Sequence, residues 1–233
     1  MISEHKLAST YSSFWRVALP FSDAFTRRMN LATQAFAQYY ELDVASDRAA
    51  LVSEMSFRLL GRIFRNAEAS LDRAAVDESA QEAWSYIARF PDSGLLPAPT
   101  ASEIAEAQVL SARLNTFFRD EGAGEPLIVN PSFDGCGLVD NCAGDILAGT
   151  TLYEIKNVDR NFRIVDVRQL IVYCALNAEK PKYPINSVGL VNGRSGRFYR
   201  IDLDLLALDL AGSSAADLFS EVVTFMSSEL ASR

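Results

Sequence analysis

Histidine and cysteine are scarce in this chain of 233 residues. His5 is the only histidine, which argues against Ser-His-Asp and Cys-His catalysis, His-Asn-His sites and zinc hydrolases, because each of these needs histidine at the reacting centre. Cys136, Cys142 and Cys174 show no Cys-x-x-Cys spacing, and we predict that they are buried free thiols. Phosphoryl chemistry with a metal bound by carboxylates needs neither residue type and remains possible.

Long apolar runs are also missing. No stretch approaches the roughly 20 apolar residues that cross a bilayer. The N-terminus, Met-Ile-Ser-Glu-His-Lys, lacks the charged and then apolar layout of a signal peptide. With 49% hydrophobic and 22% charged residues, the composition is that of an ordinary globular protein. We expect a cytoplasmic protein with no membrane partner.

Residues 1–95 are predicted to form an all-helical N-terminal region. Apolar residues recur there at spacings of three and four, which predicts amphipathic helices over residues 22–40, 46–66 and 71–90. The terminus around His5 is expected to be loose. Residues 91–100 are rich in helix breakers and mark a candidate boundary to a second domain that covers residues 100–233.

The second domain alternates between helical and extended patterns. Thr100 and Glu103 form a capping box that opens a helix to about residue 120, and Ser213 or Ser214 caps a final helix. Asp166 is predicted to cap a helix that runs to about residue 178. Strands are expected at 126–129, in a hairpin within 143–158, at 187–191 and at 198–203. This order predicts an α/β domain with a mixed sheet flanked by helices.

The hairpin within residues 143–158 is the most informative part of the sequence. If Gly149-Thr150 forms its loop, Asp145 lies opposite Glu154, and directly opposed residues share one face of the sheet. Lys156 projects from the same face because strand side chains alternate. Two carboxylates and an ammonium therefore converge. The alternative is that Asp145 ends a strand while Glu154 and Lys156 form a surface ion pair.

Paired carboxylates of this kind suit a divalent cation. Two adjacent carboxylates repel each other unless a cation lies between them. Hard oxygen ligands favour Mg²⁺ or Mn²⁺, which use few protein carboxylates and keep waters for substrate phosphates. A neighbouring lysine can then orient or deprotonate an attacking water and offset charge in a phosphoryl-transfer transition state.

The pattern Asp145-(x)8-Glu154-Ile-Lys156, followed by Gln169-x-x-x-Tyr173, resembles the PD-(D/E)XK nuclease superfamily and, more narrowly, its RecB-type branch. The resemblance covers roughly residues 100–202. It implies a restriction-endonuclease-like αβββαβ core, here preceded by the helical region. One difference is the missing upstream histidine ligand. Either a helix carboxylate such as Glu103 or Glu106 replaces it or only one metal ion binds firmly, and both glutamates are expected to be solvated residues at a helix start.

The resemblance also implies roles for the site residues. Asp145, Glu154 and the main-chain carbonyl of Ile155 would bind Mg²⁺ or Mn²⁺, and Lys156 would position or activate the water. Gln169 would hold the water or a metal ligand, with Tyr173 supporting it or touching the substrate backbone. Two further residues are candidate phosphate contacts, since a guanidinium can grip phosphate oxygens bidentately: Arg160 and Arg168. The implied protein is a metal-dependent deoxyribonuclease.

Charge and partners leave alternatives open. The net charge of −8 disfavours strong DNA binding by the protein alone, but residues 156–200 carry nine basic and three acidic residues, a local balance of +6. The helical N-terminal region would then bind a protein partner, as in nuclease-like components of bacterial anti-phage or mobile-element systems. The alternatives are a non-catalytic interaction subunit with the same fold and an RNA-directed or structure-selective nuclease.

Overall fold

The computed structural model describes residues 1–66, 71–89, 96–122 and 125–228. In this part of the chain the protein is α/β, with a mixed six-stranded sheet flanked by helices, as predicted. The helices are α1 (Glu4–Thr10), α2 (Ser12–Ala18), α3 (Ser22–Leu31), α4 (Ala49–Asn66), α5 (Arg73–Ile87), α6 (Ala101–Gly122), α7 (Ile164–Glu179), α8 (Leu203–Ala211) and α9 (Ala215–Ser227). The strands are β1 (Gln34–Ala35), β2 (Leu127–Val129), β3 (Ser132–Phe133), β4 (Cys142–Ala143), β5 (Ile146–Ala148), β6 (Thr151–Ile155), β7 (Ser187–Asn192) and β8 (Arg197–Asp202).

The six-stranded sheet has the order β1-β8-β7-β6-β5-β2, while β3 and β4 form a separate two-stranded ribbon. Strands β6 and β7 are parallel, and the other neighbours in the large sheet are antiparallel. Because parallel neighbours need a crossover connection, α7 joins β6 to β7 across one face of the sheet. The predicted hairpin is confirmed, with Ala148 opposite Thr151, Leu147 opposite Leu152 and Ile146 opposite Tyr153.

Alternating side chains on the strands bury the two faces of the sheet in different cores. Leu147, Leu152 and Val188 pack with helices α1–α3 and α7–α9. Ile146 and Tyr153 belong to the core on the opposite face, which includes Leu60 of α4 and the phenylalanines of α6. A third cluster joins α4, α5 and α6 to one another. The second face of the sheet is therefore covered by helices from both sides of residue 95.

The N-terminal region is not all-helical, and its first 35 residues pack against the C-terminal half. The helix predicted over 22–40 ends at Leu31, and residues 34–35 pair with β8 instead. The edge of β8 offers unpaired backbone groups. The pairing extends into the turn before β8, where the Gly196 carbonyl accepts a hydrogen bond from the Phe36 N–H at 2.8 Å. Gly196 has φ +63°, and a Cβ there would lie 2.1 Å from the Ala37 carbonyl oxygen. The proposed division at residue 95 remains a prediction.

Other element boundaries were predicted with mixed success. The helix predicted over 46–66 begins with a 3₁₀ turn at residues 46–48 and continues as α4, and Ser214 caps α9 as expected. Helix α8 was not predicted. The strand predicted over residues 198–203 includes Leu203, which is instead the first residue of α8. Asp202 ends that strand, since its carboxylate accepts from the N–H of Asp204 at 2.9 Å and so caps α8. The predicted end of the helix near residue 90 and the start of the boundary segment lie outside the described residues.

Two further expectations concern cysteines and membranes. The three cysteines are free thiols; Cys174 is buried, whereas Cys136 and Cys142 are only partly buried. None of the helices in the described ranges is both long and apolar enough to cross a membrane.

Candidate active site

Asp145 and Glu154 lie side by side where β5 begins and β6 ends. The register places Ile146 opposite Tyr153, so the residues one step further along, Asp145 and Glu154, face each other on the α7 side of the sheet. Asp145 Oδ2 accepts a hydrogen bond from the main-chain N–H of Ile155 at 2.7 Å. The N–H and C=O groups of one strand residue point to the same side, which directs the Ile155 carbonyl towards Asp145 as well.

Lys156 connects Glu154 to helix α7. Its Nζ donates to Glu154 Oε1 at 2.8 Å and to Gln169 Oε1 at 3.0 Å. Glu154 is only 4% exposed, so the pair is not the surface ion pair that the sequence allowed. The structure therefore brings Asp145, Glu154 and Lys156 together, as the strand spacing predicted, and places Gln169 beside them, as the resemblance implied.

Two oxygen acceptors around the side-chain nitrogen of Gln169 hold its amide in one orientation. Gln169 Nε2 donates to Tyr173 Oη at 2.9 Å and to Glu4 Oε1 at 3.4 Å, and Tyr173 Oη donates to the same Glu4 oxygen at 3.4 Å. The Tyr173 ring stacks on Phe133 with 5.3 Å between centroids. Tyr173 is buried, so its position fits support of Gln169 rather than contact with a substrate.

Glu4 was not predicted as part of this site. The terminus was expected to be loose, but Ser3 caps α1 by accepting from the N–H of Lys6 at 3.1 Å, and α1 packs on α7. The Ser3-Glu4 pair at the start of a short helix was the available signal. Its proximity to α7 cannot be deduced from local sequence.

Burial and like charge shift the protonation of both carboxylates in the metal-free site. Burial and the adjacent charge of Glu154 raise the pKa of Asp145 well above its usual value. Burial also raises the pKa of Glu154, although Lys156 opposes that change. For Lys156, burial alone would lower the pKa, but Glu154 and Asp145 outweigh it and raise the pKa. The lysine is therefore charged at neutral pH, but its charge does not bring the pKa of either carboxyl group back to the usual value.

Two clefts meet at these carboxylates beneath helix α4. The larger has a volume of about 800 Å³ and includes Lys156, and the smaller has a volume of about 540 Å³ and includes Gln169 and Tyr173. The two clefts share four lining residues: Glu54, Phe57, Asp145 and Glu154. Glu54 and Phe57 belong to α4, so a helix of the N-terminal region forms part of the site's walls.

The donor atoms fit a divalent cation that is held by few protein ligands. Glu154 Oε2 is buried and has no hydrogen-bond partner, which is costly for a carboxylate oxygen unless a cation completes it. Asp145 and the Ile155 carbonyl add hard oxygen ligands at the same place. Within the described ranges, no three Asp, Glu, His or Cys side chains are grouped closely enough to hold a metal by themselves. These oxygen donors would suit a hard divalent cation such as Mg²⁺ or Mn²⁺, which binds few protein ligands and keeps several waters.

The two arginines predicted to contact phosphate are occupied elsewhere. Arg160 donates to both carboxylate oxygens of Asp166, at 2.7 and 2.9 Å. Arg168 lies over the ring of Trp15 at 5.5 Å, and neither cleft is lined by it. Asp166 itself is the third residue of α7 and accepts from the N–H of Arg163, so it is not the N-cap that was predicted. The phosphate roles of Arg160 and Arg168 therefore stay predictions, and the contacts that these two residues make in the fold are not evident in the sequence.

Glu103 and Glu106 are neither solvated nor part of the site. Glu103 forms the predicted capping box with Thr100 and receives two hydrogen bonds from Arg48, at 2.5 and 2.9 Å. Glu106 Oε1 accepts from the N–H of Asp43. Both glutamates are buried and connect α6 to the segment before α4. The carboxylates that border the two clefts besides Asp145 and Glu154 include Glu4 and Glu54 instead.

The pairing of Arg48 with Glu103 predicts a loss of stability in acid. Hydrogen bonds from Arg48 lower the pKa of Glu103 to about 2. Since this pKa lies below the unfolded value, the stabilisation is complete above about pH 5 and disappears as pH falls towards 2. Arg48→Met should lower the free energy of unfolding by about 3 kcal/mol at pH 7, and less at pH 3, in urea denaturation. Arg73→Met is the control, because Arg73 is exposed and 3.7 Å from Asp77; an equal loss in both variants would contradict the assignment.

The candidate site thus draws on α1, α4, α7 and the β5–β6 hairpin. No protein-family model matches the chain, no curated protein matches it, and no solved structure matches it. The geometry of these residues is therefore the basis for inferring a function.

Proposed function

We propose that this protein is a metal-dependent nuclease that hydrolyses phosphodiester bonds of DNA with Mg²⁺ or Mn²⁺. The observation that carries the proposal is the convergence of Asp145, Glu154, Lys156 and Gln169 where two clefts meet, with Glu154 Oε2 buried and without a hydrogen-bond partner. Carboxylates that need a cation, beside a lysine that stays charged, are the groups that phosphoryl transfer requires.

The arrangement of elements supports placing this domain in the PD-(D/E)XK superfamily. Helix α6, strands β2, β5 and β6, helix α7 and strand β7 follow one another in the αβββαβ order that the resemblance implies, apart from the small β3–β4 ribbon. Asp145 and Glu154 lie on the central hairpin, and Gln169 and Tyr173 share one face of the following helix. Fold likeness alone would not establish activity, so the proposal is based on the side chains.

Each residue has a role that its contacts support. Asp145, Glu154 and the Ile155 carbonyl would hold the ion, which when bound polarises a phosphodiester and lowers the pKa of water. Lys156 would orient or activate the attacking water and offset negative charge on the phosphoryl group. Gln169 fixes the lysine, and Tyr173 fixes the orientation of the Gln169 amide.

Calorimetric titration with Mn²⁺ tests the metal site without knowledge of the preferred substrate. We expect the wild-type protein to bind Mn²⁺ and Asp145→Ala to lose that binding, because a ligand has been removed. Asp134→Ala is the matched control, since Asp134 is exposed and its carboxylate is bound to Lys182. Incubation of the same proteins with single-stranded DNA, double-stranded DNA and RNA then tests hydrolysis. A folded Asp145→Ala protein that still cleaves DNA would refute the proposed function.

A further inference from the structure

The larger cleft contains a second cation besides Lys156, and this one is buried. Arg194 lies in the turn between β7 and β8 and lines the same cleft as Asp145 and Glu154. It is only 9% exposed. Lys156 is already bound to Glu154 and Gln169, whereas the role of Arg194 is not explained by the proposed metal site.

The turn that carries Arg194 is fixed by side chains on both sides of it. Asn192 Oδ1 accepts from the N–H groups of Arg194 at 3.0 Å and Ser195 at 3.2 Å. Asn157 Oδ1 accepts from the N–H of Gly193 at 3.0 Å, and a Cβ on Gly193 would lie 2.7 Å from that oxygen. Glycine is therefore required beside Arg194, and the main chain of the turn is positioned before any ligand arrives.

The Arg194 guanidinium is incompletely paired for a buried cation. Its Nε is buried and has no hydrogen-bond partner. Its Nη2 lies 3.5 Å from Tyr39 Oη and 3.7 Å from Asp159 Oδ2, both long distances, and Asp159 is exposed. Buried charged groups are normally paired and hydrogen-bonded. An anion that enters the cleft would complete the pairing of Arg194, and a planar guanidinium matches phosphate oxygens well.

We propose that Arg194 binds an internal backbone phosphate of the nucleic-acid strand, in the same cleft as the phosphodiester cleaved at Asp145 and Glu154. This assignment rests on the proposed nuclease function, because it takes a polyanionic substrate that spans the cleft. Arg194 is better placed than Arg160, which is bound to Asp166, and than Arg168, whose Nε is also buried without a partner but which packs on Trp15 and lines neither cleft. It supplies positive charge inside a protein whose net charge is −8.

The test is DNA binding measured by fluorescence anisotropy, with Ca²⁺ as the cation and a labelled single-stranded oligonucleotide at several salt concentrations. Arg194→Gln should weaken binding about tenfold and reduce the slope of log K against log [salt] by about 0.7, the loss expected for one phosphate contact on a single strand. Arg194→Lys should keep most of the slope because it keeps the charge, but lose part of the affinity with the planar fork. Thermal unfolding of each variant verifies that it is folded.

Arg197→Gln is the matched control. Arg197 is on the same hairpin, is exposed and donates to Thr33 at 2.8 Å, so its replacement removes an equal charge outside the cleft and should leave the salt slope unchanged. Equal affinity and slope in wild type and Arg194→Gln, or no oligonucleotide binding by wild type, would overturn the assignment. A second oligonucleotide with a 5′-phosphate tests the source of the anion, and a loss confined to it would overturn the internal assignment in favour of a terminal phosphate.

The two proposals fail separately. Binding that depends on Arg194 in a protein that never hydrolyses the strand would refute the nuclease and leave the phosphate site. Hydrolysis that depends on Asp145 but is unchanged in KM and kcat by Arg194→Gln would refute only the phosphate site.

Discussion

Asp145→Asn is expected to reduce DNA hydrolysis by on the order of 10²–10³-fold while making the metal-free protein more stable. The activity is lost because an amide cannot replace a carboxylate as a ligand to the cation. The stability rises because burial and the charge of Glu154 already disfavour the ionised form of Asp145, which raises its pKa. Asparagine keeps the shape and can still accept from the Ile155 N–H, but carries no charge.

The sign of this effect can be measured through its pH dependence. Because the folded pKa of Asp145 lies above the unfolded value, the folded metal-free protein binds the additional proton, and its free energy of unfolding falls as pH rises above about 4. Urea denaturation in EDTA at about pH 5 and about pH 8 should therefore show a larger advantage of Asp145→Asn at the higher pH. With Mn²⁺ added, the wild-type protein alone should be stabilised. A variant less stable than wild type in EDTA at pH 8 would contradict this account of the site.

Trp15→Ala is expected to lower the free energy of unfolding by about 3–5 kcal/mol. Trp15 is 0% exposed, and its indole N–H donates to the Leu7 carbonyl at 2.9 Å. The Arg168 guanidinium lies over its ring in a cation–π contact. The substitution leaves a cavity between α2 and α7 and removes the link to α1. Urea denaturation followed by circular dichroism would measure the loss.

Phe21→Ala is the control for this substitution. Phe21 is a nearby aromatic residue that is 52% exposed, and we expect its replacement to cost less than about 0.5 kcal/mol. Similar losses in the two variants would show that Trp15 does not hold α1 and α2 on the C-terminal half.

The grouping of Asp145, Glu154 and Lys156 was predictable because hairpin register and strand alternation are local, whereas the place of Gln169 beside them was implied by the resemblance. The Gly149 turn, with φ +56°, fixes the pairing of β5 with β6, and that register sets Asp145 opposite Glu154. Helical spacing sets Gln169 and Tyr173 on one face. Contacts from distant elements could not be predicted in this way. Glu4 reaches Gln169 across 165 positions of sequence, and no periodicity within α1 indicates its neighbour.

The errors in the fold have the same origin. The apolar spacing over residues 22–40 is typical of a helix, but its C-terminal part pairs with β8, which is more than 160 residues away. Arg160 was predicted to contact phosphate because local sequence shows its charge but not its pairing with Asp166. Burial of Glu103 likewise depends on Arg48, which precedes it by 55 residues. Local spacing predicted which carboxylates and lysine converge. Pairing between distant segments determines which other charged residues are free to contact a ligand.

The pairing of β1 with β8, and the packing of α1 on α7, also constrain how the chain acquires its structure during synthesis. Residues 34–35 leave the ribosome long before their partners at residues 197–198, a delay on the order of 10–30 s at usual elongation rates. Until then, Trp15 and Phe25 have no core to enter, because that core consists largely of residues beyond 130. Contacts of such high sequence separation form late and slow the final folding step. A chain that stops before β7 would retain the carboxylates of the hairpin and helix α7, but it would lack α8 and α9, which pack against α3 and α2.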